Sequence, residues 1–230
     1  MMAQSPSPTI VLLHGCGGSP EAEWEANGWP AAIAAIGRRA LFVRLPGHGR
    51  DGPSHDPADY ADLAGMVLNG LPRGPVDIIG FSLGAKIALA LALRSPDSVR
   101  RMVLGGIGDN IFAPESFGEA AAHALEHGPI EQTPPPVLAF LETWDPGLND
   151  PAAIAAVLRR PANPLFSVED IGSIATPVLV ANGADDIVGQ IGTRLFDGLG
   201  LDQILIPGVG HFDLTAHPDF RRLALGRLQA

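Results

Sequence analysis

Val76-Asp77-Ile78-Ile79-Gly80-Phe81-Ser82-Leu83-Gly84-Ala85-Lys86-Ile87 is the stretch on which the fold of this chain turns. Val76–Ile79 is a β-branched run and reads as a buried strand, whereas Leu83–Arg94 is rich in Ala and Leu and reads as a helix. Between them stands Gly-x-Ser-x-Gly, a pattern that is informative only in this strand–turn–helix setting. So tight a turn forces Ser82 into a strained backbone conformation. Side chains at both flanking positions would clash, hence Gly80 and Gly84. The hydroxyl then sits over a helix N-terminus, whose partial positive charge favours developing negative charge.

The same alternation extends outward in both directions. Thr9–Leu13, Ala40–Arg44, Val99–Leu104, Pro177–Ala181 and Gln203–Ile206 read as strands. Their apolar runs are continuous rather than alternating, as expected where a parallel sheet is covered on both faces. Trp29–Ile36, Tyr60–Leu71, Ile187–Leu199 and Phe220–Leu228 read as helices, with stop signals such as Gly37, Pro72 and Pro96 nearby. Right-handed crossovers then build an α/β fold, a doubly wound, mostly parallel sheet of about six strands. Residues 1–107 and 173–230 are expected to form this core. Residues 108–172 break the rhythm, with helical pieces near Glu115–Glu126, Val137–Glu142 and Ala152–Arg159 joined by proline-rich turns such as Pro161–Pro164. A helical insertion of about 60 residues is too long for an ordinary loop and is expected to be a cap, or lid, over a site.

Composition narrows the function. The 230 residues suit one domain, and 46% hydrophobic against 17% charged residues provides for a sizeable core. A net charge of −10 argues against a nucleic-acid partner, and a single lysine, Lys86, rules out a polybasic membrane patch. No apolar run approaches the ~18 residues needed to cross a bilayer. One cysteine, Cys16, permits a reducing compartment, and Met1–Thr9 lacks the pattern of a signal peptide. The expectation is a cytoplasmic protein acting on a small molecule.

Ser82 needs a base to become a nucleophile. His211, just after the last strand, is the candidate. An acid follows the strand Pro177–Ala181, in Asn182-Gly183-Ala184-Asp185-Asp186. Serine, acid and histidine each follow a different strand, where open α/β sheets build their sites. His14-Gly15-Cys16-Gly17-Gly18 follows the first strand, and the backbone amides of Cys16 and Leu83 are the expected oxyanion-hole pair. That turn is no dinucleotide loop, because Pro20 stands where a third glycine belongs, and Gly106-Ile107-Gly108 fails likewise at Ile111. No cofactor is expected. Nothing at local spacing activates Cys16 as a nucleophile, and His14 and His48 read as turn-holding residues. His123 and His127 stand at i, i+4, yet no third ligand is evident, so no metal is expected. Phe112, Phe117, Phe140, Trp144 and Phe166 are candidates to line a cavity under the cap.

Taken together, His14-Gly15, Pro46-Gly47-His48-Gly49, the elbow at 80–84, Gly183-x-x-Asp186 and His211-Phe212 resemble the α/β-hydrolase family over nearly the whole chain. In that family the acid lies three residues after the glycine, which gives the role to Asp186 rather than Asp185. Some members place it after the preceding strand, which makes Asp109 a second candidate. Two departures stand out. Arg44 occupies a position that is often acidic, and the antiparallel strands that usually open the fold are expected to be missing. The resemblance implies a serine hydrolase cleaving a carboxylic ester of a small to medium substrate through an acyl-enzyme on Ser82. On the same triad a C–C bond hydrolase, lactonase, thioesterase or cofactor-free perhydrolase is the alternative, and a small-molecule receptor is the non-enzymatic one. Serine at the elbow points away from epoxide and haloalkane chemistry, which use a carboxylate there. Between Asp109 and Asp170 ten acids stand against only Arg159 and Arg160, a field expected to repel anions such as coenzyme A thioesters and to favour neutral or cationic substrates, so a neutral substrate is expected.

Overall fold

The computed structural model describes residues 7–112, 116–161, 165–189 and 191–229. Glu115, residues 162–164 and the first six residues, all invoked above, lie outside them. The first half of the chain lays down β1 (Ile10–Leu13), α1 (Trp29–Ala35), β2 (Ala40–Val43), α2 (Leu63–Gly70), β3 (Val76–Phe81), α3 (Leu83–Arg94) and β4 (Val99–Gly105). Among the described residues four helices then follow without a strand: α4 (Ser116–His127), α5 (Pro135–Thr143), α6 (Pro151–Leu158) and α7 (Val168–Gly172). The chain then closes with β5 (Val178–Gly183), α8 (Arg194–Leu199), β6 (Ile204–Ile206) and α9 (Pro218–Gln229).

The described strands form one doubly wound sheet in the order β2-β1-β3-β4-β5-β6, every pair parallel. Side chains of a strand point alternately to its two faces, and the core divides accordingly. Val11, Leu13, Ile78, Met102 and Leu104 pack on one face against α2, α3 and α8. Ile10, Leu12, Ile79, Phe81 and Val103 pack on the other, against Trp24, Trp29 of α1 and Phe220 of α9. A third apolar cluster, including Ala121, Val137, Phe140, Ile154 and Leu158, lies among α4, α5 and α6. Ile171 of α7 instead joins the first sheet-face cluster.

Two helix boundaries differ from the sequence reading, each for a local reason. The expected helix Tyr60–Leu71 splits into a 3-10 turn, Pro57–Tyr60, and α2. The side chain of Asp62 accepts from the Gly65 amide at 2.9 Å and so caps a fresh start. The expected helix Ile187–Leu199 begins only at Arg194. The Asp186 carboxylate takes the amides of Val188 and Gly189, both at 2.8 Å, holding that stretch in a turn instead. A π-helical turn at Glu21–Glu25 and the short α7 carry too few periodic residues to be seen in sequence.

The position of the site follows from the strand order. The chain leaves β1 toward β2 on one side and returns to β3 on the other, so the carboxyl ends of β1 and β3 flank a crevice. Register pairs Leu13 with Gly80 and Phe81 with Gly105, which brings the loops after β1, β3 and β4 level with one another. Among the described residues no helix is long and apolar enough to cross a membrane.

Candidate active site

Ser82 ends β3 at φ 50° and ψ −112°, and its amide donates to the Gly105 carbonyl at 2.9 Å. The elbow leaves no room beside it. A Cβ on Gly84 would lie 2.2 Å from the Leu13 carbonyl oxygen, and one on Gly80 would lie 2.8 Å from the Gly84 oxygen. Close packing of α3 under β1 and β3 is thus what demands both glycines.

The Ser82 hydroxyl meets His211 Nε2 at 3.1 Å, and His211 Nδ1 meets Asp186 Oδ2 at 2.8 Å. An ionised carboxylate only accepts, so Nδ1–H donates to Asp186 and leaves Nε2 to accept from the serine. His211 is wedged between Phe81 and Phe212, each ring centroid 4.9 Å away. Burial raises the Asp186 carboxyl, but the hydrogen bond and charge of His211 and the Gly189 and Val188 amides outweigh it and hold the group below its ordinary range. The structure therefore brings together the three side chains singled out in the sequence. Asp185 donates its amide to the Val209 carbonyl at 3.0 Å, and Asp109 accepts the Leu195 amide at 3.2 Å, so neither carboxylate occupies the place beside His211.

The turn after β1 is held from several sides. The Gly17 amide donates to His48 Nε2 at 3.0 Å, and the Leu45 amide donates to His14 Nε2 at 3.0 Å. Burial keeps both imidazoles neutral, His14 well below its ordinary value and His48 down at about 4. Among the described residues no acceptor takes the Cys16 amide or the Leu83 amide. Burial raises the Cys16 thiol to about 11, which suits a structural side chain rather than a thiolate nucleophile.

Ser82 and His211 open into a cavity of about 200 Å³. Phe117, Phe140 and Trp144 line it, together with Phe81 and Phe212. Phe112 instead lies under the Arg194 guanidinium, 4.4 Å from the ring centroid, and Phe166 is buried in the sheet-face cluster. His123 and His127 pack ring to ring on α4, and no group of three or more His, Cys, Asp or Glu gathers among the described residues.

Three contributors were not legible in the sequence. Glu23 lines the cavity and takes the Gly15 amide with both oxygens, at 3.1 and 3.0 Å. The fully buried Asn149 accepts the Gly49 amide at 2.7 Å and donates to the Gly17 carbonyl at 2.7 Å, tying the helical segment to two site turns. Asn182 bridges the end of β5 to the Gly106 amide at 2.8 Å. Each is a polar residue whose partner is remote in the chain, so only Asn182, beside the acid turn, carried any local signal.

Comparison with known proteins agrees with this architecture. Residues 10–221 match the model of the alpha/beta hydrolase family. A 2-hydroxy-6-oxononadienedioate/2-hydroxy-6-oxononatrienedioate hydrolase from Cupriavidus pinatubonensis is 35% identical across 91% of this chain and 82% of its own. An esterase of Mycobacterium tuberculosis is 34% identical, but over 43% of this chain and only 32% of the esterase. In three dimensions NosK from Streptomyces actuosus superposes with a TM-score of 0.71 at 24% identity, covering 96% of this chain and 97% of its own, a likeness of fold. The family match begins at the first residue of β1 and runs into α9, through every strand of the sheet, and on that extent the chain belongs to the alpha/beta hydrolase family.

Proposed function

We propose that the protein is a serine hydrolase that cleaves a carboxylic ester of a small to medium substrate through an acyl-enzyme on Ser82. One observation carries the reading: the unbroken relay from Ser82 Oγ through the His211 imidazole to Asp186, at 3.1 and 2.8 Å, at the cavity wall. In the first half-reaction Ser82 attacks the ester carbonyl carbon as His211 Nε2 takes its proton. Asp186 keeps the imidazole in the Nδ1–H tautomer and stabilises the imidazolium. The carbonyl oxygen, now negative, is received by the amides of Cys16 and Leu83, whose freedom from other acceptors supports that role. Collapse expels the alcohol, protonated by His211. Water, activated by the same imidazole, then releases the acid and restores Ser82. Residues 108–172 act as a cap, supplying Phe117, Phe140 and Trp144 to the cavity.

A C–C bond hydrolase is the second reading, favoured by the 35% identity to the Cupriavidus hydrolase across 91% of this chain. That relative's named substrate carries two carboxylates. No lysine or arginine is among the described residues lining this cavity, so an anionic substrate would find no counter-charge there. The ester reading is therefore preferred.

A fluorophosphonate probe followed by peptide mapping tests the proposal. Ser82 is expected to carry the label, and Ser82→Ala to lose both label and turnover of short-chain esters. Labelling at another residue, or undiminished turnover in Ser82→Ala, would sink it.

A further inference from the structure

We propose that Glu23 is the carboxyl by which this pocket recognises its substrate, and that the substrate carries a cationic, ammonium-type group that seats against it. The inference rests on the ester-hydrolase reading above and names the class of ester within it.

Glu23 stands on the π-helical turn that packs under the loop after β1. Its Oε1 fills the space a Cβ on Gly18 would need, 1.8 Å from that position, so the carboxyl is lodged against the loop. Both oxygens share one donor, the Gly15 amide, and no other donor reaches them among the described residues. A carboxylate offers about four acceptor sites, so most of its capacity is left over on a group that forms part of the cavity wall. Aromatic side chains line the same cavity, Phe140, Trp144 and Phe212 among them, and aromatic faces attract cations. Asp145 adds a second acid at the exposed side of the cavity.

Burial raises the Glu23 carboxyl to about 8, the behaviour of an acid with no cation beside it. A substrate ammonium would supply that cation and favour the ionised form. Lys86, lowered by burial to about 7 and acting on the Cys16 thiol, also ionises within this window, and Glu23→Gln, which retains it, separates the two. The Cys16 thiol, at about 11, stays neutral, and the buried His14 is neutral already. Glu21, on the same turn, is engaged by Arg44 at 2.5 Å. Asp145 is exposed on the cavity lining, and His211, also lining it, is engaged by Asp186.

Two esters of one acid test this: choline butyrate and 3,3-dimethylbutyl butyrate, alike in shape and differing by a quaternary nitrogen in place of carbon. Their kcat/KM ratio cancels the ionisation of His211, which serves both. From pH 6.5 to 9.5 the ratio in the wild type should climb about tenfold, which corresponds to a cation that lowers the Glu23 pKa by about one unit. Glu23→Gln keeps an acceptor for the Gly15 amide but cannot ionise, and its ratio should stay flat. A flat ratio in the wild type, or the same climb in Glu23→Gln, overturns the inference. If Glu23→Gln fails to fold, the wild-type course is read beside Lys86→Met: a climb that persists there supports Glu23, and a flat ratio overturns the inference. Should neither ester turn over and Ser82 resist the phosphonate, the ester reading has failed separately. Calorimetric binding of choline then decides: tighter binding at pH 9.5 than at 6.5 supports the cation site, and equal binding overturns it.

Discussion

Ser82 is the one non-glycine residue at positive φ among those described. Such a conformation costs about 1–3 kcal/mol and persists only where the surroundings over-determine it. Here the Gly105 carbonyl holds its amide, and the bare glycines beside it admit α3 against the β1–β3 crevice. On the proposed mechanism Asp186 acts through His211, so Asp186→Asn should lower kcat on a short-chain ester by about 10⁴-fold while the circular dichroism spectrum stays unchanged. The buried histidines set an acid limit. Each is held below its ordinary value when folded, so the unfolded chain takes up protons first as pH falls. Stability is complete above the unfolded value near 6.5 and should decline as pH falls from there toward about 4, where His48 itself protonates in the fold. Chemical denaturation at a series of pH values checks this, and His48→Gln should flatten the decline. Glu23 works in the opposite sense. Its folded value lies above its unfolded one, so its contribution is present below about 4.5 and is lost as pH rises to about 8. Glu23→Gln should therefore gain in melting temperature over the wild type across that interval.

Single elements owe their placement to polar clamps as much as to apolar packing. Asp77, fully buried in β3, is held by Arg100 through Oδ1 at 2.7 Å and by Arg38 through Oδ2 at 2.5 Å. Removing the carboxylate strands two guanidinium groups, one of them nearly buried, and Asp77→Ala should cost about 3–5 kcal/mol in urea unfolding. Asn149 is the counterpart for the helical segment. Asn149→Ala leaves the Gly49 amide and the Gly17 carbonyl without this partner and should cost about 1–3 kcal/mol, with a fall in kcat/KM because the oxyanion turn loosens. If kcat/KM holds while stability drops, Asn149 supports the fold alone. The elements also show what a sequence can display. α3 is bounded by Ser82 and Ser95 and appears where Leu83–Arg94 reads as a helix, because a strong local signal coincides with its burial. The π-helical turn at Glu21–Glu25 carries the pocket carboxyl and remains hidden, since five residues show no period.

Over the whole molecule the net charge is −10. The acids of the helical segment are less free than their number implies. Glu119 and Glu126 both pair with Arg159, at 3.0 and 2.7 Å, and Asp150 pairs with His55 at 2.9 Å. What bears on the substrate is the cavity lining, where Glu23 and Asp145 stand without a lysine or arginine among the described residues. Neutral esters should therefore outpace matched anionic ones at low salt, with the gap narrowing as ionic strength shortens the range of the field. Equal rates, or the reverse order, would show that the charge does not act at the entrance.

The amino-acid sequence by itself determined the alternation of strand and helix, because burial on both faces of a parallel sheet writes a continuous apolar run. It also determined which serine and which glycines form the elbow, because steric demand at a tight turn admits few residue types, and it marked His211 by its place after the last strand. The separation of Asp186 from Asp185 came from family resemblance, and the 2.8 Å contact with His211 is a tertiary fact. Only the tertiary structure decided that Glu23 and Asn149 belong to the site. The partner of Glu23 lies 8 residues away along the chain and those of Asn149 lie 100 and 132 away, and polar contacts across such distances leave no periodic trace.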